Sequence, residues 1–120
     1  MANETIFPYE HEGLELITCV IQRGKADKIA KSAIEAGAGG ATIFYARGMG
    51  IRERLGLLGL AIVPEKEVIM IISSKATTPK IFDAIVKAAH LEVPGMGVAY
   101  VTPITAVAGI FSAQPSKEQK

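Results

Sequence analysis

Two short glycine turns carry the residues on which chemistry could be built. Gly48-Met49-Gly50 follows an apolar run that ends at Arg47, and Gly95-Met96-Gly97 follows Pro94. Small residues at a strand end let a phosphate or a flat base approach backbone N–H groups. Arg47, Arg52 and Arg54 lie around the first turn. Their guanidinium groups suit paired contacts with anions, although such charges also serve as a solvated loop face. A dinucleotide-binding turn would need a third glycine at position 53 and a long amphipathic helix directly after it. This chain has Glu53, followed by Leu55-Gly56-Leu57-Leu58-Gly59-Leu60. That argues against a Rossmann site.

The other reactive side chains stand apart. His11 and His90 are isolated, whereas a metal site needs convergent ligands. His90 falls where a helix should end, in reach of the helix dipole. Asp27 and Asp83 read as solvent charges on helices. Cys19 is alone in an apolar run, so it cannot form an internal disulfide. No Ser, Thr or Cys has a base at a recognisable spacing. The pattern points away from an enzyme and away from a resident metal.

The elements that must position the two turns can be read from periodicity. Residues 14–21 form a first strand, which Arg23-Gly24-Lys25 breaks. Apolar Ala26, Ile29, Ala30, Ala33 and Ile34 recur at helical spacing over residues 25–36, with Gly37 as a left-handed stop. β-branched and aromatic residues over 41–47 give a second strand, and residues 67–73 a third. Thr78 can cap a second helix, Pro79 suits its first position, and Ile81, Phe82, Ile85, Val86 and Ala89 form its stripe. Residues 98–102 give the fourth strand, and 104–110 an optional short extra strand. The order is βαββαβ, the α+β ferredoxin-like arrangement with an antiparallel sheet and two helices on one face.

That layout covers one sheet face only, so the other should alternate toward polar residues in a monomer. Strand one instead offers Leu16, Thr18 and Val20 on one side and Ile17, Cys19 and Ile21 on the other. Strand three offers Val68, Met70 and Ile72 against Ile69 and Ile71. Each such side chain left in water forgoes roughly 1.5–3 kcal/mol. A second copy of the chain is the expected cover, the alternative being tails folded back over the sheet.

At 120 residues the chain is one domain by size, with 49% hydrophobic and 21% charged residues and a net charge of +1. No basic field and no Trp argue for nucleic acid. Residues 1–12 read as an arm rather than a signal peptide, and 106–120 as a C-terminal tail that is polar from Gln114 onward. No apolar run reaches membrane-spanning length, so the expected compartment is the cytoplasm. Leu55, Leu57, Leu58, Leu60, Ile62 and Val63 form either a packing element or a partner surface.

Taken together, Thr42 to Gly50, the return Pro64-Glu65-Lys66-Glu67-Val68 and Pro94-Gly95-Met96-Gly97 resemble the PII signalling family over about residues 14–105. The first two stretches look like the two ends of that family's T-loop, here residues 49–66. The last looks like its B-loop. The resemblance implies a homotrimer with inward-facing sheets around a domain of residues 13–105. It implies adenine-nucleotide binding in subunit clefts by Gly48, Met49, Gly50, Ile51, Arg52, Gly95, Met96, Gly97 and Val98. It also implies a protein partner, such as a membrane transporter or an enzyme, met by Arg52, Arg54, Leu55, Leu57 and Leu58.

Departures from the family pattern modify these expectations. The loop is short and lacks the modified tyrosine. Ile51 stands where an arginine is usual and Val98 where a lysine is usual, and residues 105–111 contain no basic side chain. Fewer phosphate-gripping groups favour AMP or ADP over ATP, with no cofactor obligatory. Two rival readings are a ligand-free trimeric scaffold and a metal-responsive trimer of the CutA type.

Overall fold

The computed structural model describes residues 13–48 and 65–109. Six elements follow in order: β1 (Leu14–Gln22), α1 (Ala26–Glu35), β2 (Thr42–Arg47), β3 (Glu65–Ser74), α2 (Thr78–Ala89) and β4 (Gly97–Pro103). The four strands form one sheet in the order β2-β3-β1-β4, with every neighbouring pair antiparallel. The expected βαββαβ fold is therefore what the chain adopts. The expected arm 1–12, the tail from 110 and the segment 49–64 lie outside the described residues.

Both helices pack on one face. Ile17, Cys19 and Ile21 of β1 sit beside Ile71, Ile69 and Glu67 of β3 in register. Across from them lie Ala26, Ile29 and Ala33 of α1 and Ile81, Ile85 and Ala89 of α2. The isoleucines in this cluster are no more than 1% exposed, so each contributes about 1.5–3 kcal/mol of burial. Ile34 departs from the expected stripe and is 50% exposed, because the buried face of α1 is filled by alanines and Ile29.

The opposite face carries Leu16, Thr18 and Val20 against Ile72, Met70 and Val68. Phe44 on β2 and Val98 and Tyr100 on β4 extend it to both edges. Phe44, Ile72, Val98 and Tyr100 are each 41–52% exposed in the single chain. The sheet is apolar on both sides, as the sequence pattern required, and among the described residues no helix covers this second side.

Element ends show local causes. Gly37 takes φ +121, and Ala38 N–H donates back to Ala33 O at 3.0 Å, closing α1 as expected. For α2 the cap position is Thr77 rather than Thr78. The Thr78 hydroxyl turns back to Ser74 O at 2.9 Å and pairs with Ser73 Oγ at 2.6 Å, so it secures the strand-to-helix turn instead. His90 closes α2 in the left-handed region at φ 55, and Leu91 N–H donates to Val86 O. β3 begins two residues before the expected Glu67, at Glu65. Residues 104–109 form no strand, although Ile104 N–H still reaches Leu14 O at 3.0 Å.

Candidate functional site

From sequence, the loop after β2 and the loop before β4 could meet at one end only if subunits or sheet twist brought them close. The strand register places the two loops at the same end of the sheet but on opposite edges, so within one chain they do not meet. Ile21 pairs with Gly97, Gln22 with Lys66 and Arg47 with Glu65. The ends of β1 and β2 and the starts of β3 and β4 therefore share one end of the sheet. Gly48 and Gly97 stand on opposite edges there, three strand spacings across; Gly97 is level with Tyr45, so Gly48 lies three residues further along, roughly 17 Å away in all.

The β4 side of this end is set by close packing. Gly97 has φ +152, and a Cβ built on it would lie 2.5 Å from Val20 O and 2.9 Å from Ile21 Cγ2. Only glycine fits that approach of two backbones. Gly95, at φ 87, turns the chain toward it, and Met96 N–H bonds Val93 O at 3.2 Å. Val98 follows on the uncovered sheet face, 52% exposed. Of the expected ligand residues, Gly48, Gly95, Met96, Gly97 and Val98 are thus placed at this end. Met49, Gly50, Ile51, Arg52, Arg54, Leu55, Leu57 and Leu58 lie outside the described residues.

The β2 side is built differently. Arg23, directly after β1, donates its backbone N–H to Glu65 O at 3.2 Å. Its guanidinium pairs with the Glu65 carboxylate and stands 5.2 Å from the centre of the Tyr45 ring. The hydrogen bond and the charge of Glu65 raise the Arg23 pKa further above its ordinary value. Arg23, Tyr45, Ala46, Arg47 and Glu65 line an open cleft of about 300 Å³. Arg47, expected from sequence as a candidate anion group, lies on this wall.

Glu67 completes the arrangement from below. The start of α1 has Lys25 at its cap position, which makes no side-chain bond to the helix. The buried Glu67 carboxylate of β3 fills that need, accepting the N–H of Gly24 at 2.9 Å and of Ala26 at 2.8 Å. The β1–α1 turn is thereby fastened to the first residues of β3. Sequence reasoning treated Arg23 only as a strand break and missed Tyr45, Glu65 and Glu67. The signal for Glu67 was present: a helix with lysine at its cap must find an acceptor elsewhere.

Reactive groups elsewhere are quiet. Cys19 is fully buried, and desolvation pushes its thiol up to about 11, so it stays protonated at neutral pH. Among the described residues, no three His, Cys, Asp or Glu side chains cluster as metal ligands. Among the same residues, no helix is long and apolar enough to cross a membrane.

Comparison with known proteins bears on the whole arrangement. The family model of the nitrogen regulatory protein P-II matches residues 14–113. No curated protein matches the chain. Among solved structures it is similar to Arabidopsis thaliana PII bound to citrate, with 16% identity and a TM-score of 0.62 over 78% of this chain and 79% of that one. At that identity the structural likeness speaks for the fold alone.

Proposed function

Since the chain belongs to the nitrogen regulatory protein P-II family, we propose that it acts as a non-enzymatic, cytoplasmic signalling protein. In this reading it is a homotrimer whose subunit clefts take a small effector, and the effector sets the state of residues 49–64. The observation that supports the reading best is the strand register, which gathers Gly48 and Gly97 at the end of the sheet from which that segment departs. The apolar face that no described helix covers, with Phe44, Ile72, Val98 and Tyr100 part exposed, supports an assembly with sheets turned inward.

The effector we favour is an adenine nucleotide with few phosphates. Val98 and Ile51 contribute no charge where it would grip phosphate, so AMP or ADP should bind better than ATP. The effector acts by binding one state of the segment better than the other. Arg52 and Arg54 then steer a protein partner, such as a transporter or an enzyme, and Leu55, Leu57 and Leu58 form the contact.

The test uses the purified full chain. Light scattering after gel filtration should give three chains per particle. Calorimetry should rank AMP or ADP ahead of ATP, with citrate as a small polyanion control. A stable monomer, or tight magnesium-dependent ATP binding, would refute the assembly or the ligand reading respectively.

A further inference from the structure

Residues 49–64 are bracketed by Arg47 and Glu65, the terminal pair of the β2–β3 ladder. Among the described residues β2 is an edge strand, so no described strand supports Arg47 from its other side. The last pair of an edge ladder opens readily unless something beyond the ladder holds it. Arg23 reaches both arms from outside that ladder. Its backbone N–H and its guanidinium both hold Glu65 on β3, and the same guanidinium covers the Tyr45 ring on β2. The neighbouring Gly24 and Ala26 N–H groups are tied to Glu67, so Arg23 projects from a fixed turn.

We propose that Arg23 is a positioning residue that clamps the two arms at the base of the 49–64 segment, and so sets how freely that base opens. The proposal rests on the reading of that segment as the responsive element. The clamp is local by construction. The Arg23 and Glu65 side chains are 55% and 52% exposed, and ion pairs this wet add little to global stability. Its effect is to order two strand ends rather than to hold the fold. A guanidinium is needed because one planar group must pair with a carboxylate and lie over a ring together. A lysine at position 23 would keep the charge and lose that combination.

Hydrogen exchange of the full chain, without ligand, tests the clamp directly. In Arg23→Ala, amides of residues 45–47 and 65–67 should exchange about tenfold faster, while amides of residues 17–19 and 69–71 stay as in the wild type. The melting temperature should move by no more than about two degrees. Arg23→Lys and Glu65→Gln should each give an intermediate acceleration at the same amides. Unchanged exchange at the base in Arg23→Ala would overturn the proposal. So would acceleration spread evenly over the sheet with a lowered melting temperature, which marks an ordinary structural residue. An Arg23→Lys variant indistinguishable from wild type would overturn the role of the stacked guanidinium. ADP calorimetry on the wild type keeps the two claims apart: absent binding there removes the nucleotide reading while the exchange result still decides the clamp.

Discussion

Gly97 and Gly48 occupy the same end of the sheet on opposite edges, and each belongs to a Gly-Met-Gly. At Gly97 a side chain would strike the Val20 carbonyl at 2.5 Å, in a backbone conformation that other residues rarely adopt. At Gly48 the nearest described atoms to an added Cβ are Lys66 Cγ and Cε, both at 3.8 Å, which is ordinary contact. A repeated motif therefore does not carry one meaning. Packing alone accounts for the glycine that opens β4. Packing among the described residues does not account for the glycine after β2, and the effector site proposed for it is what its variants test.

The largest effect should come from Gly97→Ala. The substitution adds strain at φ +152 and a clash with backbone that cannot give way. We expect a loss of roughly 3 kcal/mol and a fall in melting temperature of about ten degrees or more. A thermal melt within a few degrees of wild type would show that β4 can shift away from β1, and the contrast between the two glycines would fail.

Next in size is Glu67→Ala, which asks whether the β1–α1 turn depends on β3 for its cap. Two N–H groups, of Gly24 and Ala26, would lose their acceptor in a buried setting. The cost should be about 2 kcal/mol by urea denaturation. Glu67→Gln keeps one carbonyl oxygen as an acceptor and should recover part of the loss. Equal stability of the alanine variant would mean that water replaces the carboxylate.

These two residues also mark what could be read from sequence. The alternating isoleucines of β1 and β3 and the helical spacing of Ala26, Ile29 and Ala33 disclosed the element order, because burial imposes those periods directly. Glu65 and Lys66 hid the start of β3, since charged residues after Pro64 look like the end of a loop. Glu67 is buried there only because a distant helix start needs an acceptor. Arg23 looked like a strand break for a similar reason: its partners, Tyr45 and Glu65, are brought to it by strand pairing. The positions of the two glycine turns relative to each other likewise depend on register, which periodicity does not state. Local pattern reveals elements, while caps and clamps supplied across the sheet appear only once the strands are paired.

The helix-facing side of the sheet offers a pH test of intermediate size. The Cys19 thiol is raised from 9.0 to about 11 by desolvation. The folded state thus holds its proton where the unfolded chain releases it. The contribution of the neutral thiol is fully present below pH 9 and is lost as pH rises toward about 11. Melting temperatures across that window should fall more steeply for wild type than for Cys19→Ala. Parallel curves would mean that the thiol titrates normally. In the native protein at pH 8, Cys19 should also resist alkylation until denaturant is added.

The smallest effect on stability, and the sharpest for the comparison, belongs to Gly48→Ala. Contacts at 3.8 Å leave room for a methyl group, so stability should change by less than about 0.5 kcal/mol. If Gly48 N–H or its neighbours admit an effector closely, the same methyl obstructs that approach, and AMP or ADP affinity should fall by about tenfold, equivalent to roughly 1.4 kcal/mol. The two readouts must separate: melting unchanged, calorimetry weakened. Gly97→Ala should show the reverse order, with folding lost before binding can be assessed. Unaltered nucleotide affinity in a stably folded Gly48→Ala protein would remove this glycine from the ligand site. A large loss of stability would instead make it a packing glycine like Gly97, and the distinction between the two edges of the sheet would disappear.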